Sequence, residues 1–269
     1  MNIIFSEYKP GALLQPYVQT YWLGHFNIDG SSGFSQSVLP NGCIELIIHL
    51  DEEHCALSQA NGRYDRSPDF TLLGLYEQPY EVQFDHPVQV FGIRFFPDGI
   101  HNIFGVPPSV FMATYEDSID VLGRELLAFC EQVQATGNTR QQVALADEFL
   151  LRQLHRHVQG HDYTHAAMQM IRSSKGAVGY HQLLKEIPIS PRQLQREFKL
   201  RYGITVTDYM RLSRMNAIHH YMQSGRASLT ELSYDFNFTD QSHFIREFKT
   251  FSGIAPRKFL KDREGFIVN

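Results

Sequence analysis

The chain has 269 residues, 43% hydrophobic and 20% charged, a balance that supports one or two packed domains and excludes a disordered chain. No apolar run approaches the ~20 residues needed to cross a bilayer, and the start, "MNIIFSEYKPGALL", lacks the basic and apolar blocks of a secretory signal. Net charge is −5, but residues 1–162 hold 8 Lys+Arg against 20 Asp+Glu, whereas 163–269 hold 16 against 9. An acidic first part and a basic second part point to a polyanion-binding module at the C-terminal end, the competing reading being a chance imbalance of two solvated surfaces.

Residues 1 to about 115 read as short strands. In "CIELIIHL", Ile44, Leu46, Ile48 and Leu50 alternate with Cys43, Glu45, Ile47 and His49. In "VQVFGIRFF", Phe91, Ile93 and Phe95 alternate with Val90, Gly92, Arg94 and Phe96. Turn clusters "LPNG", "NGRYDRSPD" and "FPDG" separate the runs, the pattern of an antiparallel sandwich or barrel. Inside a barrel one face of each strand points to the lumen, so Glu45, His49 and Arg94, joined by Trp22, Tyr21 or His25, are candidate effector-pocket residues. The competing reading makes Glu45 and Arg94 a buried structural ion pair.

The period then changes. Ile119, Leu122, Leu126, Phe129 and Val133 step by three and four, predicting one amphipathic helix, and a second is expected over roughly 140–158. "QGHD" at 159–162 coincides with the charge switch, placing a domain boundary there: 1–162 and 163–269. His155, His157, His161 and His165 crowd this boundary, but a solvated linker explains them better than a metal site. No metal, cofactor or catalytic motif stands out, and Cys43, Cys55 and Cys130 lack paired metal spacing; they are expected to be reduced thiols of a cytoplasmic protein.

From 163 onward the chain reads as all helix, and it repeats itself. "REFKLRYGI" at 196–204 returns as "REFKTFSGI" at 246–254. Each copy sits in a helix-turn-helix pattern. Ser190, Pro191 and Gln193 mark one helix start by a capping box, Ser228 and Glu231 mark another, and Thr239 or Asp240 begins the next. Gly203 and Gly253 are expected terminators, and "VTDYMRLSRMNAIHHYM" is a long helix between the units. With Leu194, Phe198, Phe244 and Phe248 inward, Arg192, Gln195 and Arg196 face out in the first copy. Gln241, Ser242, His243, Ile245 and Arg246 do so in the second. Arg can grip guanine O6/N7 and Gln adenine N6/N7, each with two hydrogen bonds, from a helix end in the major groove. Lys199, Arg201, Lys249, Arg257, Lys258 and Lys261 suit phosphates.

The segments "LTELSYDFNFTDQSHFIREFKTFSGIAPRKFL" and "ISPRQLQREFKLRYGITVTDYM" resemble the double helix-turn-helix domain of AraC-type (AraC/XylS) bacterial transcription regulators. Ser233, Asn237 and Pro188 depart from that pattern. "VLPNGCIELIIHL" and "VFGIRFFPDGIHNIFGVPPSVF" are similar to the sensor domains of one branch. The resemblance implies an α+β multidomain chain: a cupin-like antiparallel β-barrel with helices, for sensing or oligomerisation, then an all-α DNA-binding domain. It implies duplex DNA as partner, with RNA polymerase, a small-molecule effector and a second copy of the chain as further candidates. The alternative from another class is a cupin-like enzyme with an accessory nucleic-acid-binding domain.

Overall fold

The computed structural model describes residues 2–28, 33–58, 62–157, 163–223, 228–261 and 266–267. The expected linker at 159–162 lies outside them. The chain forms two compact units. One comprises Met1–Ser35, Cys43–Leu75 and Glu81–Gly160; the other comprises Gln36–Gly42, Tyr76–Tyr80 and His161–Asn269. Two short early segments are thus grouped with the C-terminal unit.

The strands are β1 (Asn2–Tyr8), β2 (Val18–Asn27), β3 (Phe34–Val38), β4 (Ile44–His49), β5 (Ala56–Ser58), β6 (Tyr64–Arg66), β7 (Phe70–Leu73), β8 (Tyr80–Phe84), β9 (Val88–Phe95) and β10 (Tyr115–Asp117), all in the first unit except most of β3 and Tyr80 of β8. One sheet runs β1-β2-β9-β4-β7-β10 and is antiparallel in every recorded pair. A second contains β3-β8-β5-β6 in that order. The expected antiparallel β-barrel is present as two sheets that do not join into one closed ring, antiparallel apart from the parallel pairing of Phe266–Ile267 with β3. Alternation along each strand is real, but both faces of β4 and β9 are buried, because helices cover the face that a one-sided sheet would leave to water.

Those helices are α1 (Pro97–Phe104), α2 (Ser118–Leu122), α3 (Glu125–Ala135) and α4 (Thr139–Arg156). The single helix expected from Ile119 to Val133 is broken into α2 and α3. Gly123 sits at φ 93° and ψ 162°, a conformation open to glycine and closed to a continuing helix. Tyr21 stacks on Phe91 and its hydroxyl donates to Asp147 Oδ1 of α4 at 2.7 Å, so Tyr21 points away from the face that carries Trp22. Phe129 and Phe149 stack at 4.4 Å and bind α3 to α4.

The second unit holds α5 (Tyr163–Ser173), α6 (Tyr180–Glu186), α7 (Pro191–Tyr202), α8 (Val206–Gln223), α9 (Leu229–Asp235), α10 (Gln241–Ser252) and α11 (Pro256–Lys261). Its core takes Leu194, Phe198 and Tyr202 from α7 and Phe244, Phe248 and Phe251 from α10. Both helices pack against α8. Burying such a side chain stabilises by about 1.5–3 kcal/mol, so the apolar spacing, more than intrinsic propensity, holds these short helices.

Candidate nucleic-acid interface

The two copies of the repeat have matched ends. The Ser190 side chain accepts from Gln193 N–H at α7, and Asp240, rather than Thr239, accepts from His243 N–H at α10. Gly203 and Gly253 close the helices at φ 78° and 76°, both with ψ −16°, each returning an N–H to a lysine carbonyl, Lys199 and Lys249. At α9 the Ser228–Glu231 capping box closes in both directions. The turns before the two helices differ. Asn237 adopts φ 56° in the second, a left-handed residue that Asn tolerates. The first passes through Pro188 with an Ile189 N–H to Ile187 carbonyl bond of 2.8 Å and no left-handed residue.

These starts and packings present the same outer face twice. On α7, Arg192, Arg196 and Lys199 are exposed and Gln195 is half-buried. On α10, Gln241, Ser242, Arg246 and Lys249 are exposed and His243 is half-buried. All nine predicted contact residues therefore lie on the outer sides of two equivalent helices. Four residues that local patterning did not identify shape this face: Tyr180, Glu197, Glu247 and Arg214. Tyr180 accepts at its hydroxyl from Gln195 Nε2 at 3.3 Å. Glu197 holds Arg196 through bonds of 3.0 and 2.6 Å. In the second copy, Glu247 is instead taken by Arg214 of α8 at 2.9 Å and by His243 at 3.4 Å. Arg201, expected at phosphate, donates to Thr164 Oγ1 at 3.0 Å.

The second candidate set lies in the first unit. Across β2, β9, β4 and β7 the register pairs Thr20 with Arg94, Arg94 with Glu45, and Glu45 with Leu73. The next row on that face is Trp22, Gly92, Ile47 and Thr71, followed by Gly24, Val90 and His49. Trp22, Glu45, His49 and Arg94 thus share one sheet face, and all are buried. The Trp22 indole lies over Gly92, where a Cβ would come within 2.0 Å of it; glycine is required there.

Arg94 Nε donates to Glu45 Oε1 at 2.9 Å, and Nη1 lies 3.3 Å from Glu7 Oε1. Burial works against the guanidinium charge, but Glu45 and its neighbours override it and the pKa is raised. Arg94 Nη2 and Trp22 Nε1 are buried without a hydrogen-bond partner among the described residues. His49 Nε2 lies 3.1 Å from Ser67 Oγ and its ring stacks on His54 at 4.2 Å. Burial, and next the neighbouring His54, push its pKa down to about 4, so the ring is neutral at pH 7. Of the histidines near the boundary, His155 ends α4, His157 follows it, His165 is in α5 and His161 lies outside the described residues. No group of three or more metal-ligating side chains occurs among the described residues.

Residues 183–262 match the model of a helix-turn-helix domain, and residues 6–117 match a domain of unknown function, DUF6597. The HTH-type transcriptional activator RhaS of Escherichia coli O139:H28 (strain E24377A / ETEC) is 28% identical over 90 residues, covering 34% of this chain and 32% of that protein. RhaS of E. coli strain SE11 gives the same identity and coverage. The chain spans about a third of the length of these curated relatives. The solved structure of ToxT from Vibrio cholerae is similar at a TM-score of 0.50 and 14% identity, over 90% of this chain and 98% of that one. ToxT of V. cholerae O395 bound to (E)-4-(8-methylnaphthalen-1-yl)but-3-enoic acid is similar at 0.50 and 12%, with the same coverage. At such identities the likeness concerns the fold: an antiparallel N-terminal region followed by a helical one. The duplicated helices of residues 183–262, each capped at its start and closed by a left-handed glycine, resemble the helix-turn-helix domain of AraC-type (AraC/XylS) regulators.

Proposed function

We propose that the protein is a sequence-specific DNA-binding transcription regulator, non-catalytic and cytoplasmic, in which α7 and α10 enter the major groove of duplex DNA. The observation that supports this most is the repetition. Two helices capped at equivalent positions, by Ser190 and Asp240, and sharing most of their exposed positions occur 50 residues apart on the basic part of the chain. One polar helix face is ordinarily just solvated; two equivalent ones on one basic unit match grooves that recur at about 34 Å, one helical turn. Phosphate contacts from Lys199, Lys249, Arg257, Lys258 and Lys261 supply affinity, and Arg192, Gln195, Arg196, Gln241, Ser242, His243 and Arg246 supply discrimination.

The first unit receives the signal in this reading. Trp22, Glu45, His49 and Arg94 share a buried face, and two of them hold N–H groups with no hydrogen-bond partner among the described residues; a small-molecule effector bound there shifts the population of DNA-competent arrangements. RNA polymerase and a second copy of the chain are further partners in this reading. The deciding experiment is selection of sites by the full-length protein from a random duplex pool, followed by affinity against salt. Recovery of one enriched site, with affinity falling steeply as counterions are released, is expected. Recovery of none at low salt refutes the proposal.

A further inference from the structure

The recognition helices are duplicates in backbone and differ in side-chain chemistry. Arg192, Gln195 and Arg196 of α7 stand where Ser242, Ile245 and Arg246 stand in α10. All three on α7 are hydrogen-bonding groups. On α10 the middle position is aliphatic, and Ile245 is 37% exposed, next to buried Phe244. The positions i, i+3 and i+4 share one helix face, so Ile245 lies between Ser242 and Arg246 on the outer surface.

An aliphatic side chain gains from being covered only by apolar surface. Among the groups a base pair presents in the major groove, the thymine 5-methyl is the apolar one; the rest are donors and acceptors. Phosphate offers an isoleucine nothing. The neighbouring arginine supports a reading role for this helix. Glu247, equivalent to the Glu197 that holds Arg196, is engaged by Arg214 and His243. Arg214 is itself fixed over the Phe238 ring at 4.5 Å. Arg246 is exposed beside Ile245, and its charge interacts with the Asp240 cap.

We propose that Ile245 is a specificity-determining residue that reads a thymine methyl, next to the base pair gripped by Arg246. The half-site under α10 therefore contains a required T·A pair where the half-site under α7 is read by Gln195. This inference rests on the DNA-binding function proposed above and adds its sequence preference.

The test uses the full-length protein and the duplex it selects from a random pool. Each thymine is replaced singly by deoxyuridine, which pairs identically and lacks only the methyl. One replacement is expected to weaken binding roughly fourfold, the effect of one buried methyl-sized group. Ile245→Ala should bind the parent duplex more weakly and be indifferent to that replacement. Ile245→Gln, which copies α7, should move the preferred base at that position to adenine and leave the remaining positions unchanged. If no thymine is sensitive to deoxyuridine, or if Ile245→Ala keeps the sensitivity, the assignment is overturned while DNA binding stands. Should no duplex be selected at all, the functional reading beneath it fails instead. Insensitivity of every thymine with unaltered protein overturns the assignment even if a variant does not fold.

Discussion

Glu45→Gln removes one charge at nearly constant volume, at a place where the charge has few substitutes. Arg94 and Glu45 are 1% and 2% exposed, joined at 2.9 Å. Without the Glu45 carboxylate, the guanidinium keeps Glu7, whose side chain is 53% exposed and therefore screened by solvent. Removing one partner of a buried pair costs about 3–5 kcal/mol. The remaining Glu7 and the amide oxygen of the new Gln place the expectation at the low end, about 3 kcal/mol. In a unit of this size each kcal/mol lowers Tm by about 2–4 °C, so a fall of roughly 6–12 °C is expected. Trp22 is the chain's one tryptophan and lies buried in the same sheet, so its fluorescence follows this unit in the full-length protein. Glu7→Gln should cost under about 1 kcal/mol, as exposed pairs do. Replacing both partners, Glu45→Leu with Arg94→Met, should recover most of the loss, since the penalty comes from stranding a charge rather than from losing a bond. A Glu45→Gln melt within about 2 °C of wild type would refute the reasoning, as would a double variant no better than the single one.

Three further outcomes are expected. Arg196→Ala should cost about 1–3 kcal/mol on the selected duplex and relax preference at one or two base pairs, whereas Lys249→Ala should weaken all duplexes alike and flatten the salt dependence; identical behaviour in competition binding would contradict this division of roles. Burial of His219 in α8, with His220 beside it, lowers its pKa from 6.5 to about 3. The unfolded chain therefore binds a proton that the folded one refuses, and stability should fall as pH drops below 6.5, by about 1.4 kcal/mol per pH unit down to the folded pKa. His219→Leu should remove that slope from the pH dependence of urea unfolding, while the comparable slope from His49, which ends near its folded pKa of about 4, persists. Asn237→Gly should leave stability nearly unchanged, and Asn237→Val should cost about 1–3 kcal/mol because a β-branched residue is strained at φ 56°; equal melting temperatures for the two would rule out strain as the reason Asn stands in that turn.

What the sequence determined by itself was local. Capping residues, terminating glycines and apolar spacing lie within a few positions of one another, so α7 and α10, their inward phenylalanines and their outward polar faces could be read directly from residues 190–203 and 240–253. The charge switch and the duplicated motif placed the DNA-binding half by the same short-range logic. Tertiary structure decided what depends on partners far along the chain. Alternation showed that Glu45 and Arg94 belonged on strand faces, but only the β4–β9 register set them directly opposite. It also took the register to bring Glu7 to the same guanidinium. Gly123 looked tolerable within a continuous apolar stripe, and its left-handed-side φ broke the helix in two. The two sheets did not close into the expected barrel, because closure depends on strand pairing between edges and not on alternation within a strand. At the interface itself, Glu197 and Glu247 are the same residue in the same repeat. Arg214 reaches one and not the other from the helix between them. A repeat in sequence thus yields two helices with different chemistry, because each side chain's partner is set by packing across the unit.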